Sequence, residues 1–151
     1  MTLEEKLGYF FFDKRLLTRA LTTKACALEQ FQKGQVCEDQ QAFCVLGDAV
    51  LKAILTELLI RAGYQTKGEI TEKKKVLECE ANLARISEAV GVGFVIKMGE
   101  GEKKQRAYEQ PRVLAETFEA VIGAIYFDGG YRAARETIIR LFGDTFELES
   151  N

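Results

Sequence analysis

The stretch QQAFCVLGDAVLKAIL, Gln40 to Leu55, carries one carboxylate, Asp48, and one cation, Lys52, in an otherwise uncharged and largely apolar run. Its greasy residues, continued by Leu58, are Phe43, Val45, Leu46, Val50, Leu51, Ile54 and Leu55. They cover more than one stripe of a helix, which is more than a single core needs. The expectation is a central helix from about Asp39 to Ala62, closed by Gly63, that serves both the core and a two-fold homodimer interface at Phe43 and Val45. Aspartate is a poor mid-helix residue. Burying it unpaired is costly, so Asp48 should meet a cation from another helix or a metal.

Helical periodicity extends outward from this stretch in both directions. Thr2-Leu3-Glu4-Glu5 reads as a capping box for a short helix that stops near Gly8, and Asp13 can cap a second, KRLLTRAL. QFQKGQVCEDQ reads as a polar loop around Gly34, and residues 97–110 read as a glycine- and charge-rich loop. EITEKKKVLECEANLARISEAVG holds two helices, the second using Leu83, Ile86 and Val90. Pro111, the only proline, suits a helix's first turn. That helix should end at Asp128–Gly130, before a last amphipathic one, YRAARETIIRLFGD, that faces inward with Ala134, Ile138, Leu141 and Phe142. No segment alternates over strand length, so the fold class is all-α, with about eight helices.

Composition limits the chemistry. The chain has 151 residues, enough for one domain that buries about 70% of its unfolded surface. There is no histidine, which removes Ser-His-Asp and Cys-His catalysis and imidazole metal ligands. The four cysteines form no C-x-x-C pair, so reduced thiols are expected rather than disulfides or zinc. With 21 basic and 23 acidic residues, no global positive field marks a nucleic-acid binder, although a local patch can exist. No apolar run approaches the roughly 18 residues of a membrane span. The N-terminus lacks a basic segment followed by a long apolar core, so a cytoplasmic protein is expected.

A second apolar segment also carries acids. LAETFEAVIGAIYF, Leu114 to Phe127, contains Glu116 and Glu119 at i and i+3, on one helix face near its start. Surface acids that complement the helix dipole are an equally good reading of this pair. Together with Asp48, three acids without histidine suit a hard divalent cation such as Mg²⁺, which takes oxygen ligands and retains water. Such a site can activate water and clamp a phosphoryl group.

These motifs, in this order, resemble the ribonuclease III catalytic domain. LGDAVL in the central helix is followed some seventy residues later by LAETFEAVIGAIYFDGG. LGYFFFDKRLLTRALTTKA resembles the family's opening pattern, KGEITEKKKVLECEANLARISEAVGVG its middle segment, and MGEGEKK its G-GE loop. The resemblance implies a helical two-fold homodimer that cuts double-stranded RNA, using Mg²⁺ (with Mn²⁺ as substitute) to leave 5′-phosphate and 3′-hydroxyl ends in RNA processing. It gives Asp48 and Glu119 catalytic roles and makes Asp48, Glu116 and Glu119 metal ligands.

The departures are local. Where the family reads ERLEFLGDAVL, this chain reads QAFCVLGDAVL. Cys44 and Gln41 replace two signature glutamates, and Val45 replaces the phenylalanine that packs across the family's dimer. Thr23 stands in place of a histidine, and Glu116 in place of an aspartate. Cys44 is either a fourth candidate ligand or, as favoured here, a small apolar residue. The chain closes on FELESN without the family's added domain for double-stranded RNA, so a single domain over 1–151 is expected. RNA contacts would then fall to Lys73, Lys74 and Lys75, and to Lys103, Lys104, Arg106 and Arg112. For the lysine run, a solvated helix face is the ordinary alternative. Two further readings compete with the nuclease: a degenerate relative that binds structured RNA or a ribonucleoprotein without cutting, and a helical scaffold. Acids in apolar helices argue against the scaffold.

Overall fold

The computed structural model describes residues 1–150, with side chains described for 1–143. Helices α1 (Leu3–Leu7), α2 (Lys14–Ala20), α3 (Lys24–Gln32) and α4 (Gln41–Arg61) form the first half. The second half comprises α5 (Lys67–Glu78), α6 (Glu80–Ala89), α7 (Glu100–Lys104) and α8 (Pro111–Ser150), with short 3-10 turns at Val92–Phe94 and Ala107–Glu109. Among the described residues the only β pairing is an isolated bridge between Thr22 and Lys97.

Caps set the helix starts as the sequence predicts. Thr2 and Asp13 accept the Glu5 and Arg15 amides; α4 instead starts behind Gln40 with no side-chain cap, and Asp39 accepts the Gln41 amide at 2.9 Å. Two helices were not expected. α3 occupies part of the anticipated loop and buries none of its residues. It forms from the Thr23 cap and strong helix formers such as Ala25, Ala27 and Leu28, so it has no apolar stripe to detect. α7 lies within the expected 97–110 loop. Glu102 Oε1 fastens it by accepting the Gly99 amide at 2.8 Å and the Thr23 hydroxyl at 2.5 Å.

α8 breaks at Gly130, where φ 87° and ψ −176° suit glycine alone. Both sides of the break are fastened. Asp128 accepts Tyr9 Oη at 2.6 Å and the Phe12 and Asp13 amides at 2.8 and 3.0 Å. Beyond the break, Tyr131 Oη donates to Glu57, which also accepts Arg135 Nε at 2.8 Å and Arg61 Nε at 2.9 Å. The last helix turns Ala134, Ile138 and Phe142 inward as expected, with Leu141 only partly buried. It runs past the expected end at Asp144 to Ser150, and the side chains from Asp144 onward lie outside the described ones.

The core sits where α4 crosses α8. Leu51, Ile54, Leu55 and Leu59 meet Phe118, Val121, Ile122 and Ile125, all fully or almost fully buried, each worth about 1.5–3 kcal/mol. The crossing is closed by two glycines. A Cβ at Gly47 would lie 1.6 Å from the Glu119 carbonyl oxygen, and one at Gly123 would lie 2.3 Å from that of Phe43. Backbone touches backbone here, which only glycine allows. Gly47→Ala should therefore force the helices apart and destabilise the fold by about 3 kcal/mol, lowering Tm by roughly 10 °C. Gly101→Ala, which meets nothing within 4 Å, is the control. Equal melting of the two variants in a thermal scan would refute the close crossing.

Candidate active site

The glycine crossing decides which side chains meet. Asp48 follows Gly47 directly, and the carbonyl against Gly47 belongs to Glu119, so the Asp48 and Glu119 carboxyls come close enough across the two helices to perturb each other's acidity. Gln40 anchors the α4 entrance, its Nε2 donating to Ala20 O at 2.8 Å and to Thr117 Oγ1 at 3.2 Å. Thr117 lies between the two glutamates of α8. This buried amide, absent from the sequence reading, ties together α2, α4 and α8.

Asp48 departs from expectation in two ways. It is about half exposed rather than buried, and its cation is not from another helix. Lys52 Nζ, one turn further along α4, lies 2.7 Å from Asp48 Oδ1, with side-chain exposures of 45% and 49%. A residue between two core stripes of a long helix can lie at the rim of the crossing, which apolar counting alone does not detect.

Burial is the first cause acting on both carboxyls, and it pushes each pKa up. In Glu119 the hydrogen bond and charge of Asp48 add to that, raising it from 4.5 to about 8. In Asp48 the Lys52 ammonium and the Glu119 hydrogen bond outweigh burial and hold it below its ordinary value. Asp48 is thus the more acidic of the two and lies against Lys52, while Glu119 is held toward its protonated form.

The other predicted ligands lie differently. Glu116 is exposed and paired with Arg112 at 3.1 Å, and its charge adds to the upward push on the pKa of Glu119. Cys44 donates its thiol to the Glu116 carbonyl at 3.2 Å. Burial, then Glu116 and Glu119, push its pKa up to about 12, so it remains a neutral thiol. Among the described residues, no group of three Asp, Glu or Cys is arranged to hold a metal. Glu78 was not singled out from the sequence because it closes the lysine-rich run. Its Oε2 is buried without a hydrogen-bond partner, and its charge acts on Lys52.

The predicted RNA contacts are partly engaged within the chain. Lys73 Nζ lies 5.7 Å from the Tyr64 ring centre, and Lys74 is half-buried. Lys103 pairs with Glu100 at 3.2 Å. Arg106, in the left-handed region at φ 56°, holds Glu109 at 2.6 and 2.9 Å. Lys104 is exposed. The two interface candidates separate as well. Phe43 is 3% exposed and packs inside its own chain, 5.5 Å from the Phe127 ring and beneath Arg19. It therefore has little surface left to offer a partner, whereas Val45 is 74% exposed.

The ribonuclease-III-like family profile matches residues 13–145. The chain belongs to this family. It is 35% identical over 150 residues to Ribonuclease 3 of Pelotomaculum thermopropionicum, covering 96% of this chain and 61% of that protein. For Ribonuclease 3 of Heliobacterium modesticaldum the identity is 37%, covering 99% and 63%. The chain thus spans less than two thirds of the length of these curated relatives. Its fold matches the nuclease domain of ribonuclease III from Campylobacter jejuni with a TM-score of 0.85 at 30% identity, covering 96% of each chain. A second structure of that domain gives a TM-score of 0.83 at 30% identity, covering 95% of this chain and 93% of the other.

The raised pKa of Glu119 fixes the sign of a pH effect. A carboxyl titrating higher in the folded chain stabilises the fold below its unfolded value, and that contribution is lost as pH rises through the folded one. For Glu119 the window runs from about 4.5 to about 8. Asp48, shifted down, loses its contribution only as pH falls below its ordinary value. Stability of the chain in chelator should therefore decline from pH 5 to pH 8, and Glu119→Gln should remove most of that decline. If the Tm of the Glu119→Gln variant falls as steeply as that of wild type, the titration belongs to another group.

Proposed function

We propose that this chain is the nuclease module of a metal-dependent endoribonuclease that hydrolyses double-stranded RNA to 5′-phosphate and 3′-hydroxyl ends, acting in RNA processing. The observation that carries the reading is the glycine crossing, which brings the Asp48 and Glu119 carboxyls together so that each perturbs the other's acidity. Two hard-oxygen acids held against each other, from helices that cannot move apart, fit a divalent cation, Mg²⁺ or in its place Mn²⁺. When bound, that cation would supply an activated water and neutralise charge on the phosphoryl oxygens.

The chain's own residues prepare for this. Glu119 releases its proton to solvent, and Asp48 and Glu119 then offer carboxylate oxygens from two rigid helices. Glu116, one turn before Glu119, is a third acid once Arg112 lets it go. Lys73, Lys74, Lys103, Lys104 and Arg106 are assigned to phosphates. Of these, Lys104 is exposed, whereas Arg106 is already committed to Glu109. The chain is proposed to work as a two-fold homodimer through the face bearing Val45. Support comes from its exposure and from the Campylobacter jejuni domain, whose structure concerns a region involved in dimer formation.

The test is incubation of purified protein with long double-stranded RNA and Mg²⁺ or Mn²⁺, with single-stranded RNA as control. Cleavage is expected of the duplex only. Asp48→Asn and Glu119→Gln should each reduce it by about a thousandfold or more, as loss of a metal-binding or charge-stabilising group does. Wild-type rates in both variants would remove the assignment.

A second reading, RNA binding without cleavage, is favoured by one observation: Cys44 is a neutral thiol beside the acids, where the family carries a glutamate. Cys44→Glu separates the two readings. If the thiol limits metal binding, the variant should need about tenfold less Mg²⁺ for half-maximal cleavage, equivalent to about 1.4 kcal/mol. Silence of both proteins with either metal would favour the binding-only reading.

A further inference from the structure

Lys52 has a place in the site that the proposed chemistry does not use. Its ammonium lies 2.7 Å from Asp48 Oδ1, so it already engages the carboxylate that would hold a divalent cation. Three carboxylates act on this one ammonium: Asp48 by hydrogen bond and charge, and Glu78 and Glu119 by charge. Glu78 ends α5, which packs on α4, and its Oε2 is buried without any hydrogen-bond partner. A buried carboxylate oxygen with no donor is unfavourable and needs a reason. The remaining neighbours are accounted for: Glu116 holds Arg112, and Cys44 donates to a backbone carbonyl.

We infer that Lys52 is a resident cation that competes with the divalent metal for Asp48, and that Glu78 is the seat that receives the Lys52 ammonium when the metal enters. This inference rests on the metal-binding reading of Asp48 and Glu119. In the free chain Lys52 balances the Asp48 charge, and a dication arriving beside an ammonium would be repelled by it. Moving that ammonium to Glu78 removes the repulsion without exposing a new charge, and it supplies the donor that Oε2 lacks. Lys52 and Glu78 are therefore positioning residues. They tune how readily the site fills and need not touch RNA.

The test is Mn²⁺ binding to the full chain without RNA, followed by the electron paramagnetic resonance signal of free Mn²⁺. Lys52→Gln should tighten binding by about tenfold, the effect of removing one charge a few ångströms from a dication in a wet site. Lys52→Arg, which keeps the charge, should stay near wild type. Glu78→Gln should weaken binding by about threefold in the wild-type background, and most of that loss should vanish in the Lys52→Gln background, because the two residues act through each other. Thermal scans in chelator identify any variant that fails to fold, and Lys52→Met serves as the second charge-removing variant. Binding that neither Lys52→Gln nor Lys52→Met tightens overturns the inference. Equal Glu78→Gln losses in both backgrounds also overturn it, since Glu78 would then act by its own charge alone. Absence of Mn²⁺ binding in every variant would overturn the metal reading itself and this inference with it.

Discussion

At the crossing of α4 and α8 the Glu119 carbonyl oxygen fills the space where any side chain at residue 47 would begin, and the Phe43 carbonyl does the same opposite residue 123. Two helices meeting backbone to backbone gain dispersion contacts along the whole seam, and the pairs above it, Leu51 and Ile54 against Ile122 and Ile125, close a dry core. The same contact sets the chemistry. The residue after one glycine is Asp48, and the residue whose carbonyl seats against it is Glu119. A wider crossing would leave two separate, solvated carboxylates with ordinary acidity. In this chain the packing constraint and the functional constraint act at one point.

Two acid centres in the chain show how the surroundings decide what a carboxylate does. Glu57 takes one hydroxyl and two guanidinium donors, from Tyr131, Arg135 and Arg61, and these hold its pKa down to about 2. It is fully satisfied as an anion and serves as a clamp between α4 and the arm of α8 beyond Gly130. Glu119 is surrounded by the opposite kind of neighbour, an acid and partial burial, and its pKa rises to about 8. The first centre has no use for a further cation. The second is short of positive charge, and Lys52 supplies one cation to it. Perturbation of this second kind is what marks a candidate functional site.

Much of this was legible in the sequence because the governing signals are local. The span of α4, the pairing of α5 and α6, the start of α8 at Pro111 and its break at Gly130 follow from periodicity, caps and glycine. α3 and α7 escaped because neither buries an apolar face: the first is built on propensity and a threonine cap, the second on a glutamate that fastens one glycine amide. At the site, Asp48 and Glu119 stood out as acids in greasy helices. The burial of Phe43 within its own chain and the orphan oxygen of Glu78 did not, because each depends on how far one helix is rotated against another. A helical wheel fixes which residues share a face. It does not fix where the rim of that face falls, and at Asp48 the rim decides between a buried ion and a half-exposed one.

The clamps flanking Gly130 explain why a break in α8 does not loosen the site. Asp128 binds the segment after α1 through a hydroxyl and two amides, and Tyr131 and Arg135 bind Glu57 on α4. The arm of α8 carrying Glu119 is thus held at its far end by polar bonds and near its start by Thr117, bonded to Gln40. With both ends fixed and the glycine crossing between them, Glu119 has little freedom to move away from Asp48. The repulsion that would follow full ionisation cannot relax by backbone motion and must be met by a proton or a cation. Rigidity of the scaffold is therefore what makes the pair demand positive charge, and a site held this way is preorganised by its fold.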